Sequence, residues 1–323
     1  MASSGQPYRA QSSAENFKKP TRNTGIYLLV FLLVAGFLVL IGFVFLLAGS
    51  QDSSFLASDK CIAVVDIDQE LTTQHTDPSI LSQGAPGSED IAKAIEALNK
   101  RDEVGSVLFV INSPGGGVVA SREIYLAVEE LKKPKVGYFR EVAASGGYYI
   151  SAPLDYIISD PNAITGSIGV IATFSDMSGL FEKVGFNVTA IKSGSHKDIG
   201  SPSRPLTDEE KAILQNIVNE TFSEFKSVVI THRGSKLNSD RFEEILDGRI
   251  ITGRQAKEVG LVDAVGTKKD AIKKAAALGG ISNEDPRLCK VSFGTEDKSL
   301  FGLSSVFQGL MNSNQKRVAL KFE

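Results

Sequence analysis

Cysteine and histidine are scarce. Only Cys61 and Cys289 occur in 323 residues, too few and too far apart for a disulfide-stapled framework, and neither sits in a CxxC or mixed Cys/His metal spacing. Both read as structural residues, with a single bond between them left open. Three histidines, His75, His196 and His232, are scattered along the chain and give a histidine metal cluster too little material. Surplus basic charge is missing as well. Lys and Arg number 35 against 38 Asp and Glu, a formal net charge of -3, so nothing draws the chain globally toward a phosphate backbone and nucleic acid is not an expected partner. The P-loop and GxGxxG spacings and internal repeats are likewise absent.

What is present begins with one long apolar run. Residues 26–48 carry no charge over 23 positions, enough at ~1.5 Å per residue to cross a hydrocarbon core of ~30 Å. Arg9, Lys18, Lys19 and Arg22 precede it against a single Glu15, while Asp52, Asp59 and Lys60 follow. The basic flank puts the N-terminus in the cytoplasm and everything beyond residue 50 outside. A cleavable signal peptide is the competing reading, since Ala48-Gly49-Ser50 offers small residues, but the apolar region exceeds the usual ~7 to 15 residues. The expected organisation is a polar, disordered tail over 1–25, a transmembrane anchor over 26–48, a linker over 49–60, a main domain over 61–279 and an extension over 280–323.

Within the main domain short apolar runs alternate with amphipathic stretches, the pattern of βα units. Strands are expected at 61–67, 106–111, 135–139, 156–159, 164–172 and 187–191, and helices near 89–98, 118–131 and 177–184. Thr207-Asp208-Glu209-Glu210 is a capping box opening a long helix to about residue 231, and Thr252-Gly253-Arg254-Gln255 opens a shorter one. The apolar stripe Ile213, Ile217, Val218, Phe222, Phe225 and Val229 along the long helix reads as core packing. The fold class is α/β.

Two small-residue turns can carry chemistry. Ser145, between an expected strand and helix and followed by Gly146 and Gly147, can expose its hydroxyl where free backbone N-H groups converge, as attack on a carbonyl requires. A simple helix N-cap accounts for the same residues. The pattern departs from the GxSxG elbow because Ala143 fills the first glycine position. Asn112-Ser113-Pro114-Gly115-Gly116-Gly117 ends the strand before it, and its glycines let N-H groups approach a peptide or oxyanion without Cβ obstruction.

These two blocks, with Thr165-Gly166-Ser167-Ile168-Gly169-Val170 and Ile191-Lys192-Ser193-Gly194-Ser195-His196-Lys197-Asp198, resemble in order and spacing the successive motifs of the signal peptide peptidase A family. The resemblance covers about residues 61 to 275. It implies a ClpP/crotonase-like α/β fold behind an N-terminal transmembrane helix, ring-shaped homo-oligomers, and a Ser/Lys dyad that needs neither metal nor cofactor. By motif position Ser145 is the nucleophile, Lys197 the general base, Gly116 and Gly146 the oxyanion donors, and Ser167 a hydrogen-bonding support for the lysine. The implied substrates are remnant signal peptides and other unstructured or hydrophobic peptides, and the implied place is a bacterial cell membrane with the catalytic domain outside.

Lys197 must be neutral when it takes a proton, which requires burial to lower a pKa that is ~10.4 in water. If its segment is extended, alternation turns Asp198 and His196 away from it. His196 as base, or Lys197 as a plain solvated loop residue, are the local alternatives. Whether the lysine serves its own serine or a neighbour's is open. At the level of function the alternatives are a Ser/Lys protease of the stomatin-cleaving type, and a non-hydrolytic crotonase-like binder of acyl thioesters.

Overall fold

A computed structural model describes residues 31–41, 60–76 and 84–293. The chain divides into two units, Met1–Ser58 and Asp59–Glu323. In the first, residues 31–41 are helical (α1) with Phe31, Leu32, Phe37 and Leu40 exposed. Among the described residues no helix is long and apolar enough to cross a membrane. The 1–25 tail, both ends of the 26–48 span, the linker up to residue 59 and the segment after residue 293 lie outside the described residues.

The second unit is built on one sheet. Strand β1 (Cys61–Ile67) pairs in parallel with β2 (Val104–Ser113), which pairs in parallel with β3 (Lys135–Ala144). Helix α2 (Ser88–Ala97) crosses between the first two strands and α3 (Val118–Glu129) between the second pair. Both faces of these strands are covered, and the alternation of side chains sorts them. Ala63, Val65, Val107, Phe109 and Ile111 pack under Ile91, Ile95, Ile124 and Val128 of the two helices. Ile62, Val64, Leu108, Val110 and Val136 face the other way, onto Ala271, Ala275 and Ala276 of α9 (Lys268–Leu278). Those alanines bring α9 close enough for Ser106 to donate to the Ala275 carbonyl at 2.7 Å.

The third strand changes partners halfway. Val136 to Phe139 pair with β4 (Tyr156–Ser159), and Val142 to Ala144 pair with β5 (Ile164–Gly166). Arg140 and Glu141, where the sequence predicts the strand to have ended, occupy the point of divergence and project into solvent. This continuation carries the chain directly to Ser145. Beyond these lie β6 (Ile250–Thr252), antiparallel to β5, and β7 (Ala264–Val265), parallel to β4.

Helix α4 (Gly146–Tyr149) follows Ser145, and α5 (Ser178–Lys183), α6 (Asp208–Arg233), α7 (Ser239–Glu244) and α8 (Gly253–Val259) complete the helices. Both capping boxes form, with Thr207 accepting from the Glu210 N-H and Thr252 from the Gln255 N-H.

Three expectations change. The strand predicted over 164–172 stops at Gly166, and the one predicted over 187–191 joins no ladder. Their apolar character is real, but among the described residues no strand meets them, and Ile171 and Ile191 are 86% and 99% exposed. The stripe on α6 is core only at its C-terminal end: Phe225 and Val229 are buried and Phe222 packs beside them, whereas Ile213 and Ile217 face solvent, because the aromatic contacts of α6 with Tyr149 of α4 and Tyr125 of α3 are made by Phe225 and His232. Finally, the sheet reaches past residue 279. Leu288–Lys290 forms β8, parallel to β1, and Cys289 is disulfide-bonded to Cys61 with Cα atoms 5.9 Å apart.

That bond closes a loop across a sequence separation of 228 residues and adds a covalent tie to a three-residue edge strand that pairs with β1. Replacing both cysteines by alanine is expected to lower the unfolding free energy by about 2 to 5 kcal/mol. Urea unfolding reads this as a lower midpoint, and an unchanged midpoint would mean that β8 is held without the crosslink.

Candidate active site

The site is centred where β3 gives way to α4. Ser145 has φ 52° and ψ -123°; among the described residues only it and Ser167 are non-glycines at positive φ. Such backbone costs about 1 to 3 kcal/mol and persists where surrounding structure enforces it. Here the Ser145 N-H donates to the Gly166 carbonyl at 2.9 Å, and its own carbonyl accepts from the Tyr148 and Tyr149 N-H groups, each at 2.9 Å. Tyr148, wholly buried, donates from its hydroxyl to the Leu261 carbonyl and anchors the turn from below.

The strand, sharp serine turn and helix of a nucleophile elbow are therefore present although Ala143 replaces the first glycine. Ala143 is an ordinary buried strand residue paired with Thr165. The tight position lies after the serine instead: a Cβ on Gly146 would stand 2.3 Å from Ser121 Oγ and 3.3 Å from the Gly116 nitrogen.

Gly116 comes from the turn after β2. Leu71 bridges to it, donating to the Gly115 carbonyl at 2.7 Å and accepting from the Gly117 N-H at 2.8 Å. At φ +154° a Cβ on Gly116 would lie 2.1 Å from the Leu71 carbonyl oxygen. The N-H groups of Gly116 and Gly146 have no acceptor among the described residues. They are two neighbouring free donors beside a serine hydroxyl.

Two clefts meet at Ser145. One, about 110 Å³, is lined by Gly116, Gly146, Val118, Ile171 and Phe225, with Ser121, Tyr149, Thr221 and Glu224 as polar members. The second, about 470 Å³, shares Ser145, Gly169, Val170 and Ile171 and adds Ser167, Val218, Phe222, Leu246 and Asp247. Ser167 reaches this wall because its own positive φ of 48° turns the chain off the end of β5, where its N-H donates to the Arg249 carbonyl at 2.9 Å. Glu224 accepts from the Tyr149 hydroxyl at 3.2 Å; burial first, and then the Glu224 charge, push that phenol above its ordinary range.

Sequence reasoning missed these α6 residues. Thr221 and Glu224 are polar residues flanking the apolar stripe of α6, belong to no motif, and line the serine cleft together with Phe225.

Lys197 is elsewhere. It is exposed, lines neither cleft, and its Nζ has no hydrogen-bond or ion-pair partner among the described residues. Residues 195–200 are consecutive turns, so the side-chain alternation that an extended segment would give does not apply, and Ile199 N-H donates to the His196 carbonyl and Ser201 N-H to that of Asp198. Asp198 is nonetheless held, because Lys192 and Arg204 take its oxygens. This loop is tied to Glu210 in the first turn of α6. Thr221 in the serine cleft lies 11 positions further along that helix, about 16 Å away at ~1.5 Å per residue. The fold brings Ser145, Gly116, Gly146 and Ser167 together and leaves Lys197 apart.

No histidine takes its place. His75 pairs with Asp90, His196 with Glu209 and Glu210, and His232 with Tyr125 and Glu129, and none lines either cleft. Among the described residues no group of three or more His, Cys, Asp or Glu side chains is placed to hold a metal ion.

Comparison with known proteins gives this geometry a context. Residues 127–282, which include Ser145, Ser167 and Lys197, match the model of peptidase family S49. A Methanocaldococcus jannaschii protein named as a candidate protease is 41% identical over 285 residues, covering 86% of this chain and 90% of that protein. A candidate signal peptide peptidase SppA of Enterococcus faecium is 37% identical over 60% of this chain and 57% of its own length. The chloroplastic serine protease SPPA of Arabidopsis thaliana is 33% identical over 61% of this chain and 30% of its own length. A strained serine between two unpaired glycine N-H groups is what a serine peptidase needs, and similarity along nearly the whole of the archaeal relative establishes that this chain belongs to peptidase family S49.

Proposed function

We propose that the protein is a membrane-anchored endopeptidase that cleaves unstructured, largely apolar peptides, remnant signal peptides among them, through Ser145 and a Lys197 supplied by a neighbouring copy. The observation that carries it is the junction at Ser145 of two clefts walled by Val118, Val170, Ile171, Phe222 and Phe225, with the Gly116 and Gly146 N-H groups beside it. An extended apolar chain fits such walls, and a folded one does not enter.

In this reading neutral Lys197 Nζ takes the Ser145 proton as the hydroxyl oxygen attacks the peptide carbonyl, and the resulting oxyanion accepts from the two glycine N-H groups. Lys197, now protonated, returns the proton to the departing amine. Water then attacks the acyl-enzyme, its proton passing to Lys197 and on to Ser145 as the acid leaves. Ser167, in the serine's cleft, is the hydroxyl that hydrogen-bonds the incoming lysine amine. Lys197 is exposed and has no partner among the described residues, which suits a side chain that becomes buried, and so loses its charge, only against a second copy.

The ClpP/crotonase-like arrangement, ring assembly and the apolar run over 26–48 fit together in this proposal. A disulfide in the sheet favours a domain outside the cytoplasm. Family membership sets aside the acyl-thioester binder, and a Ser/Lys protease of the stomatin-cleaving type stays as the alternative for the substrate.

The test is subunit mixing. Full-length Ser145→Ala and Lys197→Ala are each expected to be inactive on a peptide reporter. Mixed and reassembled, they are expected to recover on the order of a quarter of wild-type activity, because some interfaces pair an intact serine with an intact lysine. Recovery of nothing, from particles of normal size, would place both residues of each site in one copy.

A further inference from the structure

Arg204 is tied down more completely than any other side chain near the proposed base. Its Nε donates to Asp198 Oδ2 at 3.0 Å and Nη2 to Asp198 Oδ1 at 2.6 Å. Nη2 also donates to Glu210 Oε1 at 2.5 Å and Nη1 to Glu210 Oε2 at 2.8 Å, and Nη1 reaches the Pro205 carbonyl at 3.1 Å. All five guanidinium donors are used, in two bidentate forks that a lysine cannot reproduce.

One fork grips the residue next to Lys197. The other grips Glu210, whose side chain is 2% exposed and which also closes the capping box of α6 by accepting from the Thr207 N-H. Lys192 completes the arrangement, donating to Asp198 Oδ1 at 2.6 Å and to the Ser195 carbonyl at 2.9 Å. The loop bearing Lys197 is therefore closed on itself and stapled to the start of a long rigid helix. Other charged groups near the staple are His196 on the loop, Glu209 and Lys211 on α6, and Asp176 across the neighbouring cleft. His196 is turned toward Glu209 and Glu210.

We infer that Arg204 is a positioning residue for the catalytic lysine: it occupies the Asp198 carboxylate so that this charge does not pair with Lys197, and it fixes the loop that presents Lys197. The inference rests on the proposed role of Lys197 as base. Its chemical content is a matter of sign. A carboxylate released beside Lys197 stabilises the ammonium, raises the lysine pKa and reduces the neutral fraction at any given pH. Hydrogen bonds from Arg204 and then Lys192 hold the Asp198 carboxyl far below its ordinary range, so the charge is present throughout the working pH range and its placement decides the outcome.

The experiment compares pH profiles of kcat/KM for the full-length, assembled protein on a peptide reporter. Arg204→Gln is expected to move the acid limb up by about one pH unit or more and to lower kcat/KM at least tenfold near neutrality. KM should stay within about twofold, because Arg204 lines neither serine cleft. The pair Asp198→Asn with Arg204→Gln is expected to return the acid limb to its wild-type position, although the looser loop keeps the plateau low. Arg204→Lys keeps the charge but loses the forks, so its limb stays in place while its plateau falls; this variant serves if the glutamine form does not assemble.

A limb that stays put in Arg204→Gln, or that fails to return in the double variant, overturns the inference while leaving Lys197 as base. Full activity in Lys197→Ala overturns the base itself, and the two failures are read from different proteins.

Discussion

Ser145→Ala is expected to lower kcat for peptide hydrolysis by about four orders of magnitude or more, with little change in thermal stability. The magnitude follows from how nucleophilic sites behave: loss of the nucleophile alone removes nearly everything the attacking group and its base supply together, leaving the contribution of oxyanion donors and binding. Alanine at φ 52° is no easier than serine, and the bonds that enforce the turn come from the Ser145 backbone to Gly166, Tyr148 and Tyr149, so they survive the change. Steady-state turnover, with mass spectrometry of a fluorophosphonate adduct, separates the possibilities. The wild-type protein is expected to carry the adduct on Ser145 and the variant none. An adduct on another serine, or residual activity above about one per cent, would move the nucleophile.

The second large effect is at Gly116, where no atom of the reacting set is removed. Gly116→Ala keeps the N-H but adds a methyl group 2.1 Å from the Leu71 carbonyl oxygen, which is backbone and cannot rotate away. The turn must shift, and a donor displaced by about 1 Å from its oxyanion loses on the order of 100-fold in rate. kcat is expected to fall by that factor while KM changes little, with about 1 to 3 kcal/mol of stability lost to strain. Gly117→Ala is the control. Its Cβ would meet nothing nearer than 3.7 Å, so both activity and stability should stay close to wild type. A Gly116→Ala enzyme with normal kcat would show that this N-H is not an oxyanion donor.

Both predictions concern positions that stand out in the bare sequence, and the reason is local. A serine that must leave a strand at positive φ and enter a helix needs small residues on its far side, so Ser145-Gly146-Gly147 and Gly115-Gly116-Gly117 are visible as spacing. The central strands are visible for a related reason: a strand covered on both faces is a continuous apolar run, as at 61–67 and 106–111. Capping boxes at Thr207 and Thr252 depend on residues three apart and form as read.

Where two distant segments must meet, that legibility ends. Apolar runs over 164–172 and 187–191 have strand character, yet a strand requires a partner, and the described residues provide none beyond Gly166. The stripe on α6 obeys helical periodicity from Ile213 to Val229, but where α3 and α4 meet the helix decides which of its residues are buried. Three residues at 288–290 carry no strand signal of their own; pairing with β1 and the bond from Cys289 to Cys61 make them one.

The candidate site divides along the same line. Sequence by itself determined the family, the α/β class and the serine turn with the glycine turn beside it, because each depends on residues close together in the chain. Tertiary structure alone decided that Ser167 shares the serine's cleft, that Glu224 and Thr221 line it, and that Lys197 stands apart on a loop held by Arg204. A separation of that kind is set by where a long helix begins and where it packs, and no local pattern of residues encodes both ends at once.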